Sequence, residues 1–392
     1  MKEPVRVLHV LGGLSLGGAE SRIMDLYRWI DRERVQFDFL VHQKETGGRI
    51  PEFYDAEIEA LGGRIYTLPK FRLYNILSYR QAVRAFFREH HEFRMVQGHM
   101  TSTASLYLPE ARRAGIPMAA AHARSAGVDQ GLKGQVTRLL RLPLLSQADY
   151  CFACSREAGA AVFGSRWIGH EKSCILPNAI DAGKFAYAPQ KRQEIRQRLG
   201  LGEGLVIGHV GRFHYAKNHE YLLEIFHVLN RRLAAEGRRS VLLLLGEGEG
   251  QQAIRERCQA LGLEADVMFL GNRKEVWEYY QAMDLFVFPS RFEGLPGTVI
   301  EAQASGLPCL VSDRVTRECG VSPLVRFLDI DQKPEVWAEQ ILMEHPGLSG
   351  DRTEGLTAVR KAGFDVRQQA LHMERFYLTG ELQALAGTGE GE

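Results

Sequence analysis

Short apolar runs alternate with segments of helical period along almost the whole chain. Val5–Leu11 is the first run, and Glu20–Asp31 follows with Ile23, Met24, Tyr27 and Ile30 at helical spacing. Runs at Val35–Val41, Arg64–Leu68, Arg94–His99, Pro117–Ala121, Tyr150–Cys154 and Cys174–Leu176 predict further strands, with helical stretches between most of them. Such repeated units predict an α/β fold whose mostly parallel sheet is covered by helices on both faces.

The period breaks over Asp181–Gly204, where Pro189 precedes a charged run from Lys191 to Arg198. It restarts with predicted strands at Leu205–Gly211, Val241–Leu245, Val267–Leu270, Leu285–Pro289 and Pro308–Val311. Helices are predicted at His219–Ala235, Gly250–Leu261, Lys274–Ala282, Gly297–Ser305, Val336–Met343 and Arg367–Tyr377, and Leu385–Glu392 reads as a frayed end. Two α/β domains of similar size imply a cleft, and ligands of open α/β sheets bind at strand carboxyl ends.

Composition narrows the function. The chain has 392 residues, 45% of them apolar, and 49 basic against 48 acidic side chains for a net charge of +1. That excludes a disordered or collagen-like protein and argues against nucleic acid as a partner. Arg6 and His9 interrupt the first apolar run, so it is no signal peptide, and no stretch approaches the ~18 apolar residues of a spanning helix. A cytoplasmic location is expected. Cys151 and Cys154 form a C-x-x-C without a second pair at zinc-site spacing, and read as small core residues of a strand.

Three segments carry candidate chemistry. Leu11-Gly12-Gly13-Leu14-Ser15-Leu16-Gly17-Gly18-Ala19-Glu20 joins the first strand to the first helix, where glycines admit a ligand and free N–H groups meet an anion. It departs from G-x-G-x-x-G, and Asp38 falls mid-strand, which disfavours a nicotinamide dehydrogenase. The plainer alternative is a loop that only packs. Arg212 and Lys217 follow the first strand of the second domain and suit a diphosphate; the alternative is two solvated cations. Glu293 lies in a loop and Glu301 in the next helix, eight positions on, or about 12 Å if the path were fully helical. They can hold opposite ends of a polyhydroxylated ligand, with the Gly294–Gly297 amides facing a negative centre between them. The alternative is an ordinary pair of surface carboxylates.

Two further segments read as decoys. Asp329-Ile330-Asp331 imitates a metal-binding D-x-D but lies far along the chain from these motifs, and no metal is expected. Gly246-Glu247-Gly248-Glu249-Gly250 would repel phosphate and reads as a strand-to-helix turn.

Glu293-Gly294-Leu295-Pro296 and Glu301-Ala302, with seven residues between the glutamates, resemble the signature of family 4 glycosyltransferases. Gly17-Gly18-Ala19-Glu20, Pro177-Asn178-Ala179-Ile180-Asp181, Gly211-Arg212-Phe213, Lys217-Asn218, Gly246-Glu247-Gly248 and Phe269-Leu270-Gly271 match family segments in order. The resemblance spans about residues 5–380 and is strongest to bacterial exopolysaccharide-biosynthesis members. It implies a GT-B fold: a Rossmann-like acceptor-side domain over 1–185, a nucleotide-sugar domain over 186–365, and a helix over 366–380 returning to the first domain.

The resemblance also implies roles. Glu293 would bind donor-sugar hydroxyls, Glu301 the ribose, and Arg212 and Lys217 the diphosphate. Gly294, Leu295, Pro296 and Arg273 complete the donor set, and Gly17 and Gly18 let the first domain close on it. His122, after the fifth strand, falls near the reacting centre, with Arg124 on the acceptor side. Ala123-Arg124 departs from the Ser-His or acidic residue common there, and Ala179 replaces a glycine.

The expected activity is retaining transfer of a hexose or N-acetylhexosamine from a nucleotide-sugar, a UDP-sugar foremost, to a glycan or lipid-linked acceptor. No cofactor is expected. A nucleotide-sugar epimerase, a phosphorylase and a non-catalytic sugar-nucleotide-binding regulator are the alternatives. Residues 111–141 hold Arg112, Arg113, Arg124, Lys133, Arg138 and Arg141 against Asp129 alone, with Leu132, Val136, Leu139 and Leu140 at helical spacing. This segment either rests on an anionic membrane at its inner face or packs into its own domain.

Overall fold

The computed structural model describes residues 3–43, 49–124, 131–344 and 352–385. The chain forms two compact units, Met1–Ala179 with Gly363–Glu392, and Ile180–Ala362.

The first unit is built on seven parallel strands: β1 (Val5–Val10), β2 (Val35–Gln43), β3 (Ile65–Pro69), β4 (Phe93–Gly98), β5 (Met118–Ala123), β6 (Tyr150–Ala153) and β7 (Ser173–Ile175). Their order is β3-β2-β1-β4-β5-β6-β7. Helices cover both faces, so the strands are almost continuously buried rather than alternating. The helix Gly18–Trp29 buries Ile23, Met24, Leu26 and Tyr27. The helix Val366–Thr379 joins the same core as β1 and β2 through Val366, Ala370, Met373, Phe376 and Tyr377. An Arg34–Glu374 ion pair past its middle and a 2.7 Å hydrogen bond from the Tyr150 hydroxyl to the Gly380 carbonyl at its C-terminal end hold it to this unit. Gly380 has a φ of 80°, the left-handed stop that glycine takes most easily.

The second unit has six parallel strands: β8 (Leu205–Val210), β9 (Ser240–Leu245), β10 (Val267–Gly271), β11 (Leu285–Phe288), β12 (Cys309–Ser312) and β13 (Val325–Leu328), ordered β10-β9-β8-β11-β12-β13. The edge strand β13 is absent from the sequence reading. It is short, only partly buried and interrupted by exposed Arg326. The segment read as a break contains the helix Pro189–Arg198, with proline in its first turn. Only Ile195 is buried on it, so there was no apolar period to see. Arg192 and Arg196 hold it instead: both pair with Asp284, and they donate to the Gln281, Ala282 and Met283 carbonyls ending the helix Val276–Ala282. Cations are favoured at that helix end.

Cys151 and Cys154 are free and buried, and burial pushes the Cys151 thiol up to about 12. They are core residues, as expected.

In each sheet the strand order reverses once, between β1 and β4 and between β8 and β11. Loops leaving the carboxyl ends of those strands diverge, which is where open α/β sheets bind ligands.

Candidate functional site

In the second unit the loops after β8 and β11 meet. The chain leaves β8 through Gly211–His214 into the turn Tyr215–Lys217. Asn218 then takes φ 57° and ψ 43°, left-handed values that asparagine tolerates better than most residues. Its side-chain amide donates to the Pro289 carbonyl (3.1 Å), and Arg291 bonds back to Ala216 and Tyr215. These bonds stitch the two loops together and place Lys217 Nζ 2.7 Å from Glu293 Oε1. Lys217 also lies 4.5 Å from the centre of the Phe288 ring. The side chains are 17% and 20% exposed, accessible yet partly shielded from water, which strengthens their field.

Arg212 does not join that pair. Its side chain is 68% exposed and bonds Glu249 at 2.8 Å, and its charge holds the Glu249 carboxyl below the usual range. An exposed pair of this kind is weak, so the arginine is free to exchange Glu249 for a ligand anion. The Gly246-Glu247-Gly248 turn buttresses the Arg212 loop. A Cβ on Gly246 would fall 2.2 Å from the Gly211 carbonyl oxygen, and one on Gly248 2.4 Å from that of Phe213. Only glycine permits that approach.

Gly294, Leu295 and Pro296 lead into the helix Gly297–Ala304, so helical structure begins only four residues after Glu293. Glu301 is not a surface carboxylate. It is 5% exposed, and Oε2 accepts a 3.0 Å hydrogen bond from the Tyr280 hydroxyl. Arg273 is exposed and lies over the Tyr279 ring. The structure thus brings Lys217 and Glu293 into contact, and gives Arg212, Glu301 and Arg273 separate partners.

In the first unit Gly17 precedes the helix Gly18–Trp29, and a Cβ on Gly18 would meet open space. The amide of Leu14 donates to Glu52 Oε2 at 2.6 Å, so this glycine loop already holds a carboxylate of its own unit. His122 lies within β5 rather than after it, because β6 continues to pair past Ala121 and extends the strand to Ala123. It bonds Gln97 at 3.0 Å, while Arg124 bonds Asn178 and His99. Burial lowers the Arg124 guanidinium to about 10.

Asn218, Tyr280, Gln97, His9 and His99 had no assigned role in the sequence reading. Asparagine just before a helix start was a readable signal for Asn218; the others depend on long-range contacts. Asp331 lies nearer these loops than its place in the chain suggests. Though distant along the chain, Asp331 pairs with Arg314 at 2.7 Å and lines a cavity of about 540 Å³ with Tyr215, Asn218 and Arg291. Strand pairing of β12 with β13 carries it there. Among the described residues, no group of three or more His, Cys, Asp or Glu is placed to hold a metal.

Comparison with known proteins identifies the family. Residues 17–179 match the glycosyl transferase 4-like domain, and residues 191–323 match glycosyl transferases group 1. The protein named as glycosyltransferase EpsF in Bacillus subtilis is 36% identical over 93% of this chain and 94% of its own. The chain belongs to the family 4, group 1 glycosyltransferases. A second relative, the Escherichia coli UDP-Gal:alpha-D-GlcNAc-diphosphoundecaprenol alpha-1,3-galactosyltransferase, is 25% identical over 83% of this chain and 85% of its own. Among solved structures, Anabaena HepE with UDP and glucose superposes with a TM-score of 0.74 at 16% identity, over 96% of this chain and 100% of its own. Sucrose-phosphate synthase of Thermosynechococcus elongatus gives 0.76 at 18% identity, over 98% and 100%. This family 4 chain has the GT-B fold and is an enzyme of glycosyl transfer.

Proposed function

We propose that the chain transfers a hexosyl or N-acetylhexosaminyl group, with retention at the anomeric carbon, from a UDP-sugar to a lipid-linked or glycan acceptor in surface or exopolysaccharide synthesis. The Lys217–Glu293 pair at the carboxyl ends of β8 and β11 carries this reading. A cation there meets the diphosphate, and a carboxylate beside it accepts hydrogen bonds from sugar hydroxyls. The E. coli relative, named for a UDP-sugar donor and a diphosphoundecaprenol-linked acceptor, and HepE, solved with UDP-glucose, support the choice of donor and acceptor.

In the reaction the bond from the anomeric carbon to the phosphate oxygen breaks. The acceptor oxygen bonds the same face of that carbon, and its proton passes to the departing phosphate. Negative charge grows on the diphosphate, and Lys217, Arg212 and the amides opening the helix Gly297–Ala304 stabilise it. These groups replace a metal ion, so transfer survives EDTA. A cytoplasmic location, with the inner face of the membrane as the source of a lipid-linked acceptor, belongs to the same proposal.

Thermal shift with UDP-, GDP- and ADP-sugars tests the donor, since a ligand of the native state raises its melting temperature. UDP-sugars are expected to give the largest shift. Glu301→Ala is expected to reduce it by weakening the ribose contact. A larger shift with GDP- or ADP-sugars sinks the UDP reading, and an unchanged shift in Glu301→Ala removes the ribose role.

The acceptor reading calls for membrane contact. Among the described residues no helix is long and apolar enough to cross a bilayer. The basic run over 111–141 is largely engaged inside its unit: Arg112 pairs with Asp149, Arg113 with Glu110, and Arg141 bonds Thr101. Asp129 and the side chains of Leu132 and Lys133 lie outside the described residues. Arg138, Leu139 and the adjacent Leu142 stay exposed. A second strip also suits an anionic lipid surface. Leu73, Tyr74 and Leu77, at the turn before the helix Ile76–Glu89 and in its first turn, are 51%, 81% and 75% exposed. That helix already turns Tyr79, Val83, Phe86 and Phe87 into the core, so the strip is surplus to folding. Exposed Lys70 and Arg72 flank it, and residues 69–84 contain no acid. An apolar tip with a basic collar matches an anionic bilayer. The full chain is expected to sediment with phosphatidylglycerol vesicles at low salt and to lose most binding in Leu73→Ser/Leu77→Ser. Undiminished binding by that variant, or by the parent in high salt, defeats the assignment.

A further inference from the structure

Three imidazoles in the first unit, His9, His99 and His122, belong to two hydrogen-bond chains, and those chains decide where each carries its proton. The first chain starts on the C-terminal helix. Tyr377 is fully buried, which pushes its phenol far above the usual range, so the O–H remains a donor. It donates to Gln97 Oε1 at 2.7 Å. Turning the Gln97 amide over would set its NH₂ against that hydroxyl and strip the hydroxyl proton of this acceptor, an unfavourable outcome for a buried donor. The amide nitrogen therefore faces His122, 3.0 Å from Nδ1. An amide N–H only donates, so Nδ1 accepts and the imidazole proton sits on Nε2. Burial, then the charge of Arg124, then His9, hold His122 well below the usual histidine range, so it is neutral. Its Nε2 is buried and makes no hydrogen bond to the described residues.

A second chain orders the other two rings. Arg124 donates through Nε to His99 Nδ1 at 3.3 Å. A guanidinium cannot accept, so His99 carries its proton on Nε2 and donates to His9 Nδ1 at 3.0 Å. His9 in turn carries its proton on Nε2. The Asn178 side-chain oxygen anchors Arg124 at 2.9 Å, next to all three rings.

We infer that Gln97 and Tyr377 are positioning residues that hold His122 as a neutral Nε2–H donor toward a substrate oxygen. This rests on the reading of His122 as a substrate contact. Held so, His122 donates a hydrogen bond and cannot remove the acceptor proton, whose destination is then the departing phosphate oxygen. The C-terminal helix thereby reaches the chemistry through one hydroxyl, beyond its packing.

The tautomer is measured directly on the full chain labelled with ¹⁵N-histidine, by long-range ¹H–¹⁵N spectra at neutral pH, with His122→Gln assigning the signals. The parent is expected to show a protonated Nε2 and an unprotonated Nδ1 at His122. A proton on Nδ1, or an imidazolium, overturns the inference and leaves the glycosyl-transfer reading untouched. In Gln97→Glu the carboxylate has only acceptor oxygens, so the proton is expected to move to Nδ1. The kcat for sugar transfer should fall about 10²-fold, as when one preorganised donor is lost, while affinity for UDP is kept. A tautomer unchanged in Gln97→Glu overturns the positioning role, and an inverted tautomer with parental kcat overturns the substrate contact. Tyr377→Phe removes a single oxygen and serves where Gln97→Glu fails to fold. It is expected to give two exchanging tautomers, and a single Nε2–H form in that variant overturns the role of Tyr377. Failure of UDP to bind the parent would instead count against the donor reading.

Discussion

Glu293→Ala is expected to lower kcat for sugar transfer by about 10³-fold or more while leaving the fold in place. Two losses combine. The carboxylate that would meet the sugar hydroxyls disappears, and Lys217 loses the partner that holds Nζ at 2.7 Å. The backbone has its own support, because Glu293 forms a parallel bridge with Val315 and the next helix starts independently at Gly297. A partly exposed ion pair contributes about 1 kcal/mol at most. The melting temperature should therefore fall by only ~2–4 °C. Turnover and thermal unfolding of parent and variant check both halves. A well-folded variant that transfers sugar at near the parental rate would sink the assignment of this loop.

Lys217→Ala should cost about 10²–10³ in rate, the scale for losing one preorganised charge at a developing anion. The structure separates it from Arg212→Ala. Lys217 is held by Glu293 and lies against the Phe288 ring, whereas Arg212 is largely in water with an equally exposed Glu249. Water screens the second cation more, so Arg212→Ala should slow transfer by roughly 10-fold. Both variants should bind the free nucleoside diphosphate more weakly. The double variant Lys217→Ala/Glu293→Ala should be little worse than Glu293→Ala, because the two side chains act as one unit. Parental rates in both Lys217→Ala and Arg212→Ala would place the diphosphate elsewhere. A complete loss of transfer in EDTA, restored by magnesium or manganese, would return Asp329 and Asp331 to consideration.

Most elements were legible because their periods are local. The helix His219–Ala235 was readable at both ends: its apolar positions repeat at helical spacing, and a Lys-Asn turn precedes it. The strands β8 and β9 were legible for a related reason. A strand covered on both faces is a nearly unbroken apolar run. The family motifs also mark Lys217, Glu293 and Glu301 in the sequence.

What local pattern could not carry was decided by partners distant in sequence. The helix Pro189–Arg198 is polar along its length, and its hold on Asp284 spans about ninety residues. The C-terminal helix is fixed to the first unit partly by Glu374 meeting Arg34, 340 positions away. Glu301 became a buried acceptor because Tyr280, on a different helix, reaches it. Arg212 and Lys217 look equivalent in the sequence and part company in the fold, one toward Glu249 and water, the other toward Glu293. The amino-acid order by itself determined the alternating elements, the two-unit plan and which residue types were available for chemistry. The tertiary structure decided which of them touch, because strand order and loop stitching, as in the bond from Asn218 to Pro289, set distances that no spacing along the chain encodes.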